Sequence, residues 1–151
     1  MTLARAVGLF LSTQLLATLW AAVYKLPYEV GGHGTPDHVL RDFWSRGTAL
    51  SAPAPFLLAV GLLALVAGRR GRYGAAAAVA VIALMILGVV AGVVEPALRR
   101  ALRSGFPLLE RTGILVFSGV SLAAALLVTV VAARHLRDHI FHAGAADVRA
   151  A

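Results

Sequence analysis

The sequence predicts an all-α integral membrane protein, with four transmembrane helices in an antiparallel bundle and two short interfacial helices. Of its 151 residues, 60% are hydrophobic and 14% are charged, whereas soluble domains contain about 45–50% apolar and roughly 25% charged residues. The mean hydropathy is +0.83, and the apolar residues fall into long runs separated by basic segments. We therefore expect residues 1–151 to form a single membrane domain.

Four apolar runs are long enough to cross a bilayer, whose hydrocarbon core of about 30 Å needs about 20 residues of helix. The transmembrane helices are expected at about residues 6–24, 50–68, 73–94 and 112–133. The second run contains Pro53 and Pro55 near its start, and proline is tolerated in the first turn of a helix. Its helix is therefore expected to begin near Pro53 and to make a short span.

A short amphipathic helix is expected at about residues 36–46, in the long connection after the first run. Thr35 can cap its start, Pro36 suits its first position and Gly47 can end it. Its apolar face consists of Val39, Leu40, Phe43 and Trp44. A helix of this kind lies on the membrane surface, where its aromatic side chains anchor it.

A second interfacial helix is expected at about residues 96–104, between the third and fourth runs. Its apolar face carries Leu98, Ala101 and Leu102, and its basic face carries Arg99, Arg100 and Arg103. Gly105 and Pro107 follow and can end the helix. After the fourth run, a polar tail is expected at residues 134–151.

Four spans would place both termini on the same side of the membrane. Lys and Arg divide evenly between the two sides, seven and seven, while five of the seven acids fall on the side of the two longer connections. Cytoplasmic segments carry the excess of positive charge. We therefore expect both termini in the cytoplasm, with the chain in a bacterial inner membrane.

The stretch HLRDHIFH, at residues 135–142, places a group of metal-binding side chains on one helical face. The group consists of His135, Asp138, His139 and His142. Histidines four residues apart can bind a divalent transition metal, and a carboxylate can complete or orient such a site. The alternative, which we favour, is the polar end of a membrane helix. The stretch lacks the glutamate of the H-E-x-x-H motif, so it predicts no zinc hydrolase.

Glu95 is the acid nearest to a membrane span, because it directly follows the third apolar run. An acid at the end of an uncharged helix can bind a cation or a proton. Arg99 lies four residues later and offers an ion pair if the helix continues. A helix-end ion pair is the favoured interpretation, and a binding role is the alternative.

Polar side chains within the spans define a second candidate site. Gln14 and Thr18 lie one turn apart in the first run, and Ser118 and Ser121 lie one turn apart in the fourth. Such groups face the interior of a membrane bundle and form hydrogen bonds between helices. They predict either interhelical packing, which is favoured, or a ligand-binding cavity.

Gly88 and Gly92 form a G-x-x-x-G motif in the third run. Small residues at this spacing let two helices approach closely. The partner is either another helix of the same chain or a second copy in a homo-oligomer.

The composition excludes several classes of function. The chain has no cysteine, which removes disulfides, thiolate zinc sites and thiol redox chemistry. Its net charge of +7 comes from arginines beside apolar runs, with no nucleic-acid-binding motif, so the expected partner is the lipid bilayer and not nucleic acid.

No evident catalytic machinery is present in the sequence. We expect a membrane subunit, a scaffold or a binder of a small hydrophobic ligand. The alternative is a membrane enzyme or transporter that uses Glu95 and the His-rich face.

Overall fold

The structure is a computed structural model that describes residues 1–27, 36–69, 71–103 and 105–150, with the backbone alone at 139–150. Within these ranges every regular element is helical. The helices are α1 (Leu3–Val23), α2 (Val39–Phe43), α3 (Ala54–Ala67), α4 (Arg72–Val94), α5 (Pro96–Leu102) and α6 (Leu108–Ala150), and a 3-10 turn at Pro36–His38 leads into α2.

Three of the described helices are long and apolar enough to cross a membrane. They are α1, α4 and the Leu108–Asp138 part of α6. In the most apolar stretch of each helix, the buried share is only 44% in α1, 22% in α4 and 22% in α6. Most of their apolar surface therefore faces outwards. Lipid is the environment in which such a surface is stable. The helices therefore indicate a membrane protein, as the composition predicts.

The second apolar run forms a shorter helix than a full span requires. At 1.5 Å per residue, the 14 residues of α3 extend about 21 Å, against a hydrocarbon core of about 30 Å. The helix begins directly after Pro53, as expected. Before it, the backbone N–H groups of Leu50 and Ser51 donate to Thr48 Oγ1 and fold residues 48–51 into a turn. This turn occupies the start of the predicted 50–68 helix.

The fourth run lies in a helix that is longer than predicted at both ends. α6 begins at Leu108, where the Arg111 N–H donates to the Pro107 carbonyl. Its backbone stays helical through Ala150, so the predicted polar tail at 134–151 continues the same helix. No proline interrupts residues 134–150, so no residue there forces the helix to stop at the end of the apolar run.

The two short helices are shorter than predicted, because local backbone hydrogen bonds end them. The Asp42 carbonyl accepts from the N–H groups of Ser45, Arg46 and Gly47, which closes the chain after α2. Gly47 has a φ of +89°, a conformation that favours glycine, as expected of a terminator. α5 ends at Leu102, and the Gly105 N–H donates back to the Arg100 carbonyl. Residue 104, the predicted end, lies outside the described residues.

The four apolar helices pack as neighbours around two buried clusters. α1 contacts α3 and α6, and α4 contacts the same two helices. The first cluster includes Leu3, Phe10, Val60, Met85 and Val128. The second includes Ala21, Leu26, Val39, Ala101 and Ile114. Between the clusters lies a layer of buried polar side chains, and this layer positions the candidate site.

Candidate ligand-binding site

Gln14 is the centre of the buried polar layer, with 4% of its surface exposed. Its Nε2 donates to Ser121 Oγ at 2.9 Å, and its Oε1 accepts from the Ala52 N–H at 3.0 Å. One side chain thus joins α1, α6 and the segment before α3. A buried polar group is costly unless it has such partners, so these two bonds determine where the amide lies.

Three hydroxyl groups continue the polar layer beside Gln14. Thr18 Oγ1 donates to the Gln14 carbonyl at 2.9 Å and lies 2.7 Å from Ser51 Oγ. Because the one Thr18 proton goes to the carbonyl, Ser51 must donate to Thr18. By the same reasoning Thr48, 3.0 Å from Ser51 Oγ, donates to Ser51. The chain runs in one direction, from Thr48 through Ser51 and Thr18 to the carbonyl of Gln14.

A cavity of about 550 Å³ lies against this layer. Gln14, Thr48, Ser51, Ser118 and Ser121 form one polar wall. The rest of the lining comes from α1, from residues 45–53 before α3, from α3 and α4, from Glu95, and from α5 and α6. Most of the lining is apolar. Small-molecule sites in proteins have volumes of about 300–1,000 Å³, with an apolar lining and a few polar groups. Three residues of the predicted candidate site thus line one cavity: Gln14, Ser118 and Ser121. Thr18 does not line it, and its hydroxyl forms hydrogen bonds with Gln14 and Ser51 of the lining.

The C-terminal half of α4 forms an open side of the cavity. No residue from Ile86 to Val94 is buried. On this half a Cβ at Gly88 would lie 3.2 Å from the Phe56 ring, whereas a Cβ at Gly92 would meet nothing within 4 Å. The G-x-x-x-G motif therefore contacts α3 through Gly88 and leaves space in the cavity at Gly92.

The two serines of α6 differ from the threonines of the helices in how their hydroxyl protons are used. Thr13, Thr112 and Thr129 each donate to the carbonyl four residues earlier, at 2.8–3.0 Å. Within the described part of the chain, the protons of Ser118 and Ser121 have no such acceptor, and both side chains line the cavity. These hydroxyls can therefore donate to a bound molecule.

Glu95 lies at the break between α4 and α5 and is buried, with 4% of its surface exposed. It lines the cavity together with Arg46. The backbone turns at Glu95, with φ −58° and ψ 123°, so α4 does not continue through it. Arg99, the predicted ion-pair partner, has an exposed side chain. Its backbone N–H donates to the backbone carbonyl of Glu95 at 3.4 Å.

The His-rich face is separate from the cavity. His135 lies at the other end of α3, where its Nε2 is 2.7 Å from the Ala67 carbonyl. Asp138 is exposed and lies 3.9 Å from Arg137 Nε. Among the described side chains, no three His, Cys, Asp or Glu residues lie close enough together to hold a metal ion. The side chains of His139 and His142 are not among those described. The four-residue metal site therefore stays a prediction.

Thr48 and Ser51 contribute as much to the polar layer as Thr18, although neither was predicted from the sequence. Both lie in an irregular segment, where no periodic pattern marks a residue as interior. Pro53, just after them, was the only local signal, since it marks the start of α3 and hence the end of the turn. Comparison with known proteins adds no further residues: no protein family, curated protein or solved structure matches the chain.

Proposed function

We propose that this protein is an integral membrane protein that binds a small hydrophobic molecule in the cavity between its two core clusters. The observation that carries the proposal is a mostly apolar cavity of about 550 Å³, one wall of which carries the amide and hydroxyl groups of the polar layer. A scaffold or a passive subunit needs no such space, because interhelical packing alone would close it. The proposal is also supported by the position of three residues that were predicted as a candidate site, since all of them line the cavity: Gln14, Ser118 and Ser121.

We further propose that α3 completes four antiparallel spans, with both termini in the cytoplasm of a bacterial inner membrane. Three leucines of α3, Leu58, Leu62 and Leu65, are 60–67% exposed and recur at helical spacing. The opposite face, with Leu57, Val60 and Ala64, is buried. An apolar stripe on one face and a core on the other is expected of a short helix surrounded by lipid, which thins or adapts around it.

A membrane transporter or enzyme is the second candidate function. The observation that favours it is the buried Glu95 carboxylate in the cavity wall, since acids inside membrane proteins often bind ions or protons. The His-rich face does not support it, because His135 contacts the end of α3 that lies away from the cavity. A homo-oligomer through Gly88 and Gly92, and a metal at His135, Asp138, His139 and His142, stay predictions.

Ligand binding can be tested with tritiated benzophenone, a compact apolar probe, in a scintillation proximity assay on the detergent-purified protein. Gly92→Leu adds a side chain into the open space of the cavity. Gly119→Leu is the matched control, because Gly119 is exposed on α6, does not line the cavity and has nothing within 4 Å of its Cβ position.

We expect saturable binding in the native protein and in Gly119→Leu, and its loss in Gly92→Leu. The absence of saturable binding in the native protein would contradict the proposal. Equal binding by the two leucine variants would contradict it as well, because the probe would then be bound elsewhere.

A further inference from the structure

We infer that the ligand of the cavity is a neutral lipophilic molecule with a carbonyl oxygen, and that Ser118, Ser121 and Gln14 hold this oxygen. The inference rests on the proposed function and specifies its substrate class. It follows from the hydrogen-bonding capacity and the charge of the cavity wall.

The polar wall offers donors to a ligand. Gln14 Nε2 uses one of its two protons for Ser121 Oγ, which leaves one N–H. Ser121 accepts that bond and keeps its own proton, and Ser118 makes no hydrogen bond within the described part of the chain. Three protons on neighbouring turns of α1 and α6 are thus available at one wall. A carbonyl oxygen, with two lone pairs and no proton, is the ligand group that fits this arrangement.

The charge of the cavity favours a neutral ligand. Glu95 and Arg46 are the two charged side chains among the described lining residues, so their formal charges cancel. A charged ligand in a mostly apolar cavity would leave an unbalanced charge at low dielectric constant, which is costly. A neutral carbonyl compound leaves the net charge of the cavity lining unchanged.

The open side of the cavity favours a ligand that is dissolved in the bilayer. The half of α4 from Ile86 to Val94 has no buried residue, and exposed Leu87 and Val93 of this half line the cavity. On the α6 side, exposed Leu122 also lines it. These outward-facing apolar residues let a lipophilic molecule reach the polar wall from lipid.

The test compares three unlabelled competitors against tritiated benzophenone in the same assay. Benzophenone has a carbonyl between two rings, diphenylmethane has the same shape without the oxygen, and diphenylmethylamine carries a positive charge at neutral pH. We expect diphenylmethane to compete about fivefold to tenfold more weakly than benzophenone, as the loss of one or two hydrogen bonds implies. In Ser118→Ala this difference should shrink, whereas Ser12→Ala, at an exposed position of α1, should leave it unchanged.

The outcomes separate the inference from the proposed function. Equal competition by benzophenone and diphenylmethane would overturn the carbonyl assignment while leaving ligand binding intact. The strongest competition by diphenylmethylamine would overturn the neutral class and point to Glu95 instead. An unchanged benzophenone preference in Ser118→Ala would contradict the role of that hydroxyl. Among the described residues Ser118 has no hydrogen-bond partner whose loss could confuse the result. The absence of any saturable binding would contradict the proposed function itself.

Discussion

Gln14 and Ser121 lie 107 residues apart in the sequence, yet Gln14 Nε2 donates to Ser121 Oγ at 2.9 Å. This bond joins α1 to α6 at the level of the cavity, between the two core clusters. The same amide accepts from the Ala52 N–H, so the wall of the cavity and the packing of the helices depend on one side chain.

Replacing this side chain is expected to destabilise the fold. Gln14→Leu keeps a similar volume but removes both hydrogen bonds and leaves the Ala52 N–H without its partner. We expect a loss of about 1–2 kcal/mol in the free energy of unfolding, measured by titration with sodium dodecyl sulfate in mixed micelles. Ser12→Ala, at an exposed position of the same helix, should change it by less than about 0.5 kcal/mol. Equal stability of the two variants would contradict a structural role for the amide.

The contact between Trp20 and Gly113 predicts a second stability effect. A Cβ at Gly113 would overlap the Trp20 indole ring, so Gly113→Ala must displace the ring. We expect a loss of about 1–3 kcal/mol, measured as a lower Tm together with a changed tryptophan fluorescence spectrum.

Further variants control this experiment. Gly119→Ala has free space at its Cβ position and should be neutral or stabilising by up to about 1 kcal/mol. Gly113→Ala should cost less stability in a Trp20→Leu background than in the native protein, because leucine is smaller than the indole ring. An equal cost in the two backgrounds would show that the overlap is not the cause.

The ion pair between Lys25 and Asp37 predicts a pH dependence in the connection after α1. Lys25 Nζ lies 2.8 Å from Asp37 Oδ1. The hydrogen bond to Lys25, and then its positive charge, lower the pKa of Asp37, and the same two effects of Asp37 raise the pKa of Lys25. The pair is complete above the unfolded Asp pKa of about 3.9 and is lost as the pH falls through the lower folded pKa of Asp37. At the basic end it is complete below about 10.4 and is lost as the pH rises through the higher folded pKa of Lys25.

A titration of the Asp37 carboxyl carbon by NMR can check this shift. In Lys25→Gln the pKa of Asp37 should rise towards its ordinary value, and added salt should produce a smaller rise in the native protein. Both side chains are exposed, so little effect on global stability is expected. An Asp37 pKa that is the same in both proteins would contradict the ion pair.

The membrane topology can be tested because the chain contains no native cysteine. Single cysteines at Arg5, Arg41, Arg69 and Arg103 can be labelled from either side with a membrane-impermeant maleimide in oriented vesicles. Four spans predict that Arg5 and Arg69 react from the cytoplasmic side, and Arg41 and Arg103 from the opposite side. If Arg41 and Arg69 react from the same side, α3 does not cross the membrane.

The long helices were largely predictable from the sequence, because lipid imposes a simple requirement for long apolar runs. α1 and α4 follow the predicted ranges within three residues at each end. The start of α3 was also predictable, since Pro53 cannot continue a helix from the preceding turn. The short length of α3 was expected for the same reason, because a helix that begins near Pro53 leaves few residues before Gly68.

The cavity and its wall were less predictable, because they depend on contacts between distant segments. Gln14, Ser118 and Ser121 stood out as polar residues within apolar runs, but Ser51 gave no such signal. The motif of Gly88 and Gly92 illustrates why a sequence pattern does not predict the cavity. The same spacing brings two helices together or leaves space between them. Here Phe56 of α3 packs against Gly88, whereas a Cβ at Gly92 would have no atom within 4 Å.

Photolabelling by benzophenone tests the central claim most directly, since irradiation attaches the probe to C–H bonds beside its carbonyl. The attachment sites can then be located by mass spectrometry of peptides from the native protein. We predict that labelling concentrates on cavity residues near the polar wall, such as Leu122 and Phe56, and decreases in Gly92→Leu. Labelling spread over outward-facing leucines such as Leu9 and Leu62, and unchanged in Gly92→Leu, would contradict a ligand site in the cavity.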